Sequence, residues 1–108
     1  MSPTIHRRPA ARLDLLQHFV YIGENNLDAA RRFLTATQDA CKALARMPRM
    51  GALRDFDNPE WAELRSWPVK GFENYLILYQ PTPTGIYVLR VIHGSRDYAQ
   101  FFEQQEDD

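Results

Sequence analysis

The chain reads as an α+β domain in which an N-terminal antiparallel helical hairpin packs on a small, mainly antiparallel β-sheet, followed by a short C-terminal helix. Three observations predict it. Apolar residues at helical spacing fill the first half, β-branched and aromatic runs fill the second, and residues 48 to 60, rich in loop formers, lie between them. The 108 residues leave room for one domain, 1–108, without internal repeat or low-complexity tract. A chain of this size buries roughly 65% of the surface its unfolded form exposes, enough for one core.

Residues 4 to 8 can form a short strand, and Pro9 then opens a helix at the one place where its missing donor costs nothing. Leu13, Leu16 and Val20 recur at i, i+3 and i+7, joined by Phe19 and Ile22, which predicts a wide apolar stripe. Gly23 and Asn25-Asn26 interrupt it. Asn26 is the expected N-cap of a second helix, with Asp28 in the first turn, where a negative charge suits the helix dipole. Ala30, Phe33, Leu34, Thr37, Cys41 and Leu44 share one side of that helix, and Pro48 and Gly51 stop it. So short a link makes the two helices antiparallel.

The second half predicts strands over Ala62 to Ser66, Tyr75 to Gln80 and Ile86 to His93. The last two form a hairpin through the five-residue loop Pro81-Thr82-Pro83-Thr84-Gly85. Simple alternation puts Ile86, Val88 and Ile92 on one face and Tyr87, Leu89 and Val91 on the other, a central strand covered on both sides. Gly94-Ser95-Arg96-Asp97 then leads into a final helix over Tyr98 to Gln105. The acidic tail, residues 103 to 108, is expected to be disordered.

Charge and composition narrow the function. The net charge is -1, but residues 103 to 108 hold four acids and no base, so the remainder carries 13 bases against 10 acids, a net of +3. That is too little for nucleic-acid binding by bulk electrostatics. No apolar run approaches the ~20 residues that span a bilayer, and the N-terminal residues lack the apolar core of a signal peptide, so a cytoplasmic protein is expected. The lone Cys41 sits among apolar helix positions and is expected to be a buried thiol. His6, His18 and His93 lack metal-ligand spacing, and no glycine-rich phosphate loop is present, so neither metal nor cofactor is expected.

The residues that can carry chemistry lie between 65 and 97. Arg90, flanked on its strand by Val88 and Ile92, needs a partner: an ion pair with Glu63, Glu73 or Asp97, or a shared anion site with Arg65, Lys70 and Arg96. His93 is of a residue type that can act as acid or base, though a histidine at a strand end more often caps or packs. Trp61, Trp67 and Phe72 can stack on bases, but in so small a chain they are first of all core and loop anchors. On the first helix, Leu15, Phe19 and Ile22 fall partly off the Leu13-Leu16-Val20 line. They are expected to supply surplus apolar surface for docking an amphipathic partner helix.

Several short stretches, in this order and spacing, resemble the ParE toxins of the RelE/ParE superfamily of bacterial type II toxin-antitoxin pairs. They are Pro9-Ala10-Ala11 with Asp14-Leu15, Ala29-Ala30 with Phe33, Leu44 with Pro48 and Gly51, Leu64-Arg65, Phe72, Tyr75 to Tyr79, and Leu89 to Asp97. The resemblance covers nearly the whole chain. It implies the same hairpin-on-sheet fold and a small ParD-like antitoxin that folds onto the toxin in a hetero-oligomer, with Leu15, Phe19 and Ile22 as its docking positions.

Two activities divide that superfamily: ParE-type members poison DNA gyrase, and RelE-type members cut mRNA on the ribosome. Arg65 and Arg96 match basic positions of the nuclease pattern, and His93 would be its proton carrier. The tyrosine expected five or six residues after Arg96 is replaced by Phe101 and Phe102, which have no proton to give, and Tyr98 comes too early. Gyrase inhibition by binding is therefore the leading expectation, with no catalytic residue and with Arg65, Lys70, Arg90 and Arg96 as target contacts. The alternatives are a ribosome-dependent endoribonuclease and a non-toxic binding module with the toxin fold.

Overall fold

The computed structural model describes residues 2–54 and 59–106, with side chains through residue 100. In chain order it has β1 (Thr4–Arg7), α1 (Pro9–Gly23), α2 (Leu27–Arg46), β2 (Ala52–Leu53), a 3-10 turn (Pro59–Trp61), β3 (Arg65–Val69), β4 (Phe72–Thr82), β5 (Gly85–His93) and α3 (Gly94–Glu106). The sheet order is β1-β5-β4-β3-β2; β1 runs parallel to β5 and the other pairs are antiparallel. The predicted class is thus the observed one. α3 continues into the residues expected as a tail, as far as Glu106, while residues 107 and 108 and the side chains of Phe101 and Phe102 lie outside the described residues.

Local chemistry explains most of the boundaries. Pro9 occupies the first turn of α1, and the Asn26 side chain accepts the Ala29 amide at 3.0 Å as the N-cap of α2. β4 extends to Thr82 and β5 starts at Gly85, so the turn is only Pro83-Thr84, tighter than the five-residue loop expected. Pro81 is tolerated in β4 because it lies past the last pair with β3, Arg65 with Tyr79. Gly85 is required there: a Cβ would collide with the Thr4 backbone as β1 enters the sheet. β3 begins at Arg65 and not at Ala62, and β2 falls inside the stretch expected to be loop.

Each face of the sheet has its own core. The hairpin covers one with Ala11, Phe33 and Leu44 against Ile77, Tyr79, Ile86, Val88 and Val91. The other holds Trp61, Leu64, Leu78, Leu89 and Ile92, with Tyr87 and Tyr98 packed on them. A β-bulge makes this partition differ from simple alternation: Leu78 pairs with Arg90 and Tyr79 with Val88, so Leu89 has no partner of its own on β4. One extra residue reverses the facing of every strand position beyond it. Val91 consequently joins Ile86 and Val88, and Ile92 joins Leu89, the reverse of the expected assignment for those two residues.

The facing of α1 also departs from expectation. Leu13, Leu16 and Val20, the predicted core stripe, are 54%, 60% and 53% exposed. Ala11, Asp14 and His18 are buried, and Leu15 and Ile22 pack partly buried against the core. Phe19 is half-buried. Leu15, Phe19 and Ile22 thus belong to the inner side of the helix and are not surplus surface. Cys41 is buried as expected, and burial pushes its thiol above its ordinary value.

Tyr79, fully buried, ties β4 to the loop after α2. Its hydroxyl donates to the Pro48 carbonyl at 2.7 Å and accepts the Gly51 amide at 2.9 Å, and a side chain on Gly51 would strike that hydroxyl. Tyr79→Phe leaves both backbone groups without this partner. The expected loss is about 1–3 kcal/mol of unfolding free energy, read as a lower urea midpoint at unchanged slope.

Candidate functional site

The site is built where β1 stops. Arg7 is the last β1 residue in register with β5, opposite Val88, and the Arg8 amide completes that ladder on the Val88 carbonyl at 2.9 Å. Past it, no strand among the described residues lies beside that edge of β5, and buried backbone groups without partners are costly. α1 supplies the partners. Asp14 and His18, four residues apart and therefore on one helix face, bracket Val91: Asp14 Oδ2 accepts its amide at 3.0 Å, and His18 Nε2 lies 2.7 Å from its carbonyl oxygen. A carbonyl can only accept, so His18 Nε2 carries the proton.

Asp14 has a further role. Arg90 Nε and Nη2 donate to its two oxygens at 2.7 and 2.9 Å, a bidentate pair in which Asp14 is buried and Arg90 is 30% exposed. The close ion pair of Arg90 is thus with Asp14, a residue outside the expected set of Glu63, Glu73 and Asp97. Those hydrogen bonds hold Arg90 more firmly in its charged form. His18 packs edge-on against Tyr75 and Phe33, with ring centroids 4.8 and 6.0 Å away. Burial pushes its imidazole below its ordinary value, outweighing the opposing pull of the Val91 carbonyl and of Asp14.

Beside this seam, between α1, β5 and α3, lies a polar cleft of about 480 Å³ whose walls include Gln17, Tyr21, Arg90, Arg96 and Asp97. A reciprocal cap fixes the α3 wall. His93 Nδ1 accepts the Arg96 amide at 3.3 Å, and Asp97 Oδ2 accepts the His93 amide at 3.2 Å. Burial alone would raise the Asp97 carboxyl, but hydrogen bonds from Arg96 and the His93 amide outweigh it and leave the group below its ordinary value. Arg96 donates to Asp97 through Nε and Nη2 and lies over the Tyr21 ring at 5.7 Å.

The four cations expected to converge do not. Arg90 and Arg96 share the cleft. Arg65 donates from Nη1 to the carbonyls of Arg49 and Gly51, bracing the loop after α2, and Lys70 is exposed in the β3–β4 turn. His93 serves as the helix cap, the structural alternative foreseen for it. Tyr98 packs on the far core with the Arg54 guanidinium over its ring, outside the cleft lining. Asp14 and His18 had no assigned role from sequence. Asp14 stood among the stretches that carry the family resemblance, but its i, i+4 spacing from His18, beside Ala11 and Leu15, looks like an ordinary polar face. Among the described residues no cluster of His, Cys, Asp or Glu could hold a metal ion.

Residues 5–98 match the family described as the ParE toxin of the type II toxin-antitoxin system, parDE. The chain belongs to the ParE toxin family. Among solved structures, a chain titled "Chromosomal ParDE TA system from P. aeruginosa" shares the fold, with TM-score 0.65 and 16% identity over 85% of this chain and 96% of that one. No curated protein sequence matches.

In this ParE-family toxin the α1–β5 seam predicts two stability effects. Asp14→Ala leaves the Arg90 guanidinium and the Val91 amide without their shared acceptor and is expected to cost about 3 kcal/mol in chemical denaturation. His18 binds a proton less readily folded than unfolded, so its contribution is complete above its unfolded value of about 6.5 and is lost as pH falls below it. Thermal melts between about pH 7.5 and pH 5 should show midpoints falling with acidification, and falling less in His18→Gln, which keeps a donor for Val91 but cannot titrate.

Proposed function

We propose that this ParE-family toxin acts by binding and not by bond chemistry of its own, that its target is DNA gyrase, and that a ParD-like antitoxin neutralises it in a cytoplasmic hetero-oligomer. The observation that carries the binding reading is the outer face of α1. Leu13, Leu16, Val20 and Tyr21 are each more than half exposed, a helical stripe that neither the hairpin nor the sheet covers. Such a face suits an amphipathic segment that folds as it docks. The antitoxin positions therefore move from Leu15, Phe19 and Ile22 to Leu13, Leu16 and Val20.

The use already made of the nuclease candidates supports the same reading. Transfer of a proton from the 2′-hydroxyl and stabilisation of the phosphate need their groups gathered at one phosphate. Here His93 Nδ1 is occupied by the α3 cap, and the Arg65 guanidinium is held by two carbonyls on β3's side of the sheet, apart from the cleft that Arg96 lines. No helix among the described residues is long and apolar enough to cross a membrane.

Two experiments test the reading. Induced without its antitoxin, the toxin is expected to produce gyrase-dependent double-strand breaks and the DNA-damage response while mRNA stays intact. Translation arrest with codon-placed message cleavage and intact DNA would replace gyrase by the ribosome, and unimpaired growth would leave only a binding module. Leu16→Glu, on the exposed stripe, is expected to weaken antitoxin binding at least ~10-fold while shifting stability by no more than about 0.5 kcal/mol. Equal affinity in titration calorimetry would remove the stripe as the docking face.

A further inference from the structure

The cleft between α1, β5 and α3 carries charge in an ordered way. In the two ion pairs described there the cation is the outer member: the Arg90 side chain is 30% exposed against 8% for Asp14, and Arg96 is 50% exposed against 31% for Asp97. The carboxylates lie beneath, and the solvent side of each pair is guanidinium. Each aspartate engages its arginine through Nε and Nη2, and so fixes the orientation of a group that has five donors to offer. Arg96 is held from a second side by the Tyr21 ring. A pair of guanidinium groups orientated in advance loses little entropy when an oxyanion arrives.

The cleft is also continuous with the apolar stripe. Gln17 and Tyr21 line it, and on α1 Gln17 lies one turn from both Leu13 and Val20, so the stripe and the cleft are neighbouring surfaces of one helix. Arg12, exposed on the opposite flank, lies one turn from Leu16. A segment covering Leu13, Leu16 and Val20 thus meets cations on both flanks. An apolar core with a charged anchor at its rim selects an acidic amphipathic helix.

We propose that the cleft is the seat of a side-chain carboxylate carried by the antitoxin segment that covers the α1 stripe, with Arg96 as its principal contact and Arg90 behind it. This rests on the antitoxin reading and adds to it a specificity element: the stripe supplies apolar contact, and the cleft fixes the register of the docked helix by one charge-assisted contact. The carboxylate meets the outward part of Arg96 while Asp97 remains on Nε and Nη2, so the α3 cap stays intact.

The test uses the full-length toxin and, as probe, the purified protein encoded by the reading frame adjacent to the toxin's own, with affinities measured by calorimetry at two salt concentrations. Arg96→Gln is expected to weaken binding about 10-fold and to make it less sensitive to salt. Asp97→Asn, which can still accept the His93 amide but withdraws a competing charge from Arg96, is expected to bind as tightly as the parent or more tightly. An unchanged affinity in Arg96→Gln, with Leu16→Glu still disruptive, would overturn the carboxylate seat and leave the antitoxin reading standing. Equal losses in Arg96→Gln and Asp97→Asn would overturn it too, by tracing both to the Arg96–Asp97 ion pair and not to a bound carboxylate. No binding by the parent toxin would overturn the antitoxin reading, and the seat with it. Retention of duplex DNA that Arg96→Gln abolishes, beside unchanged antitoxin affinity, would reassign the cleft to a phosphate backbone.

Discussion

The arrangement depends on the short stretch of β5 that outlasts its neighbour. β1 pairs with β5 only as far as Val88, yet β5 continues to His93. The amide and carbonyl of Val91 would otherwise lie buried without partners, a cost of about 1–3 kcal/mol for each group. Asp14 and His18 meet both needs from one face of α1, and Asp14 also balances Arg90. A helix that must place these two side chains against the strand has little freedom to rotate. The polar pair therefore decides which side of α1 reaches solvent, and Leu13, Leu16 and Val20 are on it.

This explains what could and could not be read from the sequence. The elements and their order were legible because each depends on local pattern: Pro9 and Asn26 at helix starts, Pro48 and Gly51 beyond a helix end, β-branched runs in β4 and β5. The facing of α1 was not legible. A periodicity argument seats the largest apolar residues inward, and here long-range hydrogen bonds to Val91 outweigh the burial of three aliphatic side chains. The bulge at Leu89 was hidden for a similar reason: from Ile86 to Ile92 every residue except Arg90 is aliphatic or aromatic, so alternation alone has no marker for an extra residue. Of the site residues, Arg90 and Arg96 were found through their charge; Asp14 and His18 acquire meaning only once β1 is known to stop at Arg7.

The β5–α3 junction shows why residue types suited to catalysis do not by themselves make a catalytic site. His93, Arg96 and Asp97 stand within five positions, and each could take part in acid–base or phosphate chemistry. The structure gives them local tasks: His93 Nδ1 receives the Arg96 amide, Asp97 receives the His93 amide, and Arg96 neutralises Asp97. A helix leaving a strand with no intervening loop has amide groups to satisfy in its first turn. The His93 and Asp97 side chains accept the Arg96 and His93 amides at the point where α3 begins, and the pairing of its guanidinium with Asp97 holds Arg96 at the cleft.

The exposed stripe and the buried polar pair are two consequences of one choice. Had α1 been turned to bury Leu13, Leu16 and Val20, which are already partly covered, it would have gained only part of the roughly 1.5–3 kcal/mol that full burial of each is worth, and would have drawn Leu15 and Ile22 off the core. It would also have lost the hydrogen bonds to Val91 and left Arg90 without Asp14, costs of similar size in sum. A partner that covers the stripe adds apolar burial to the observed orientation only. Docking on the outer face of α1 stabilises the orientation in which Asp14 and His18 already close the edge of β5. In this fold the surface for recognition follows from the way the sheet edge is completed.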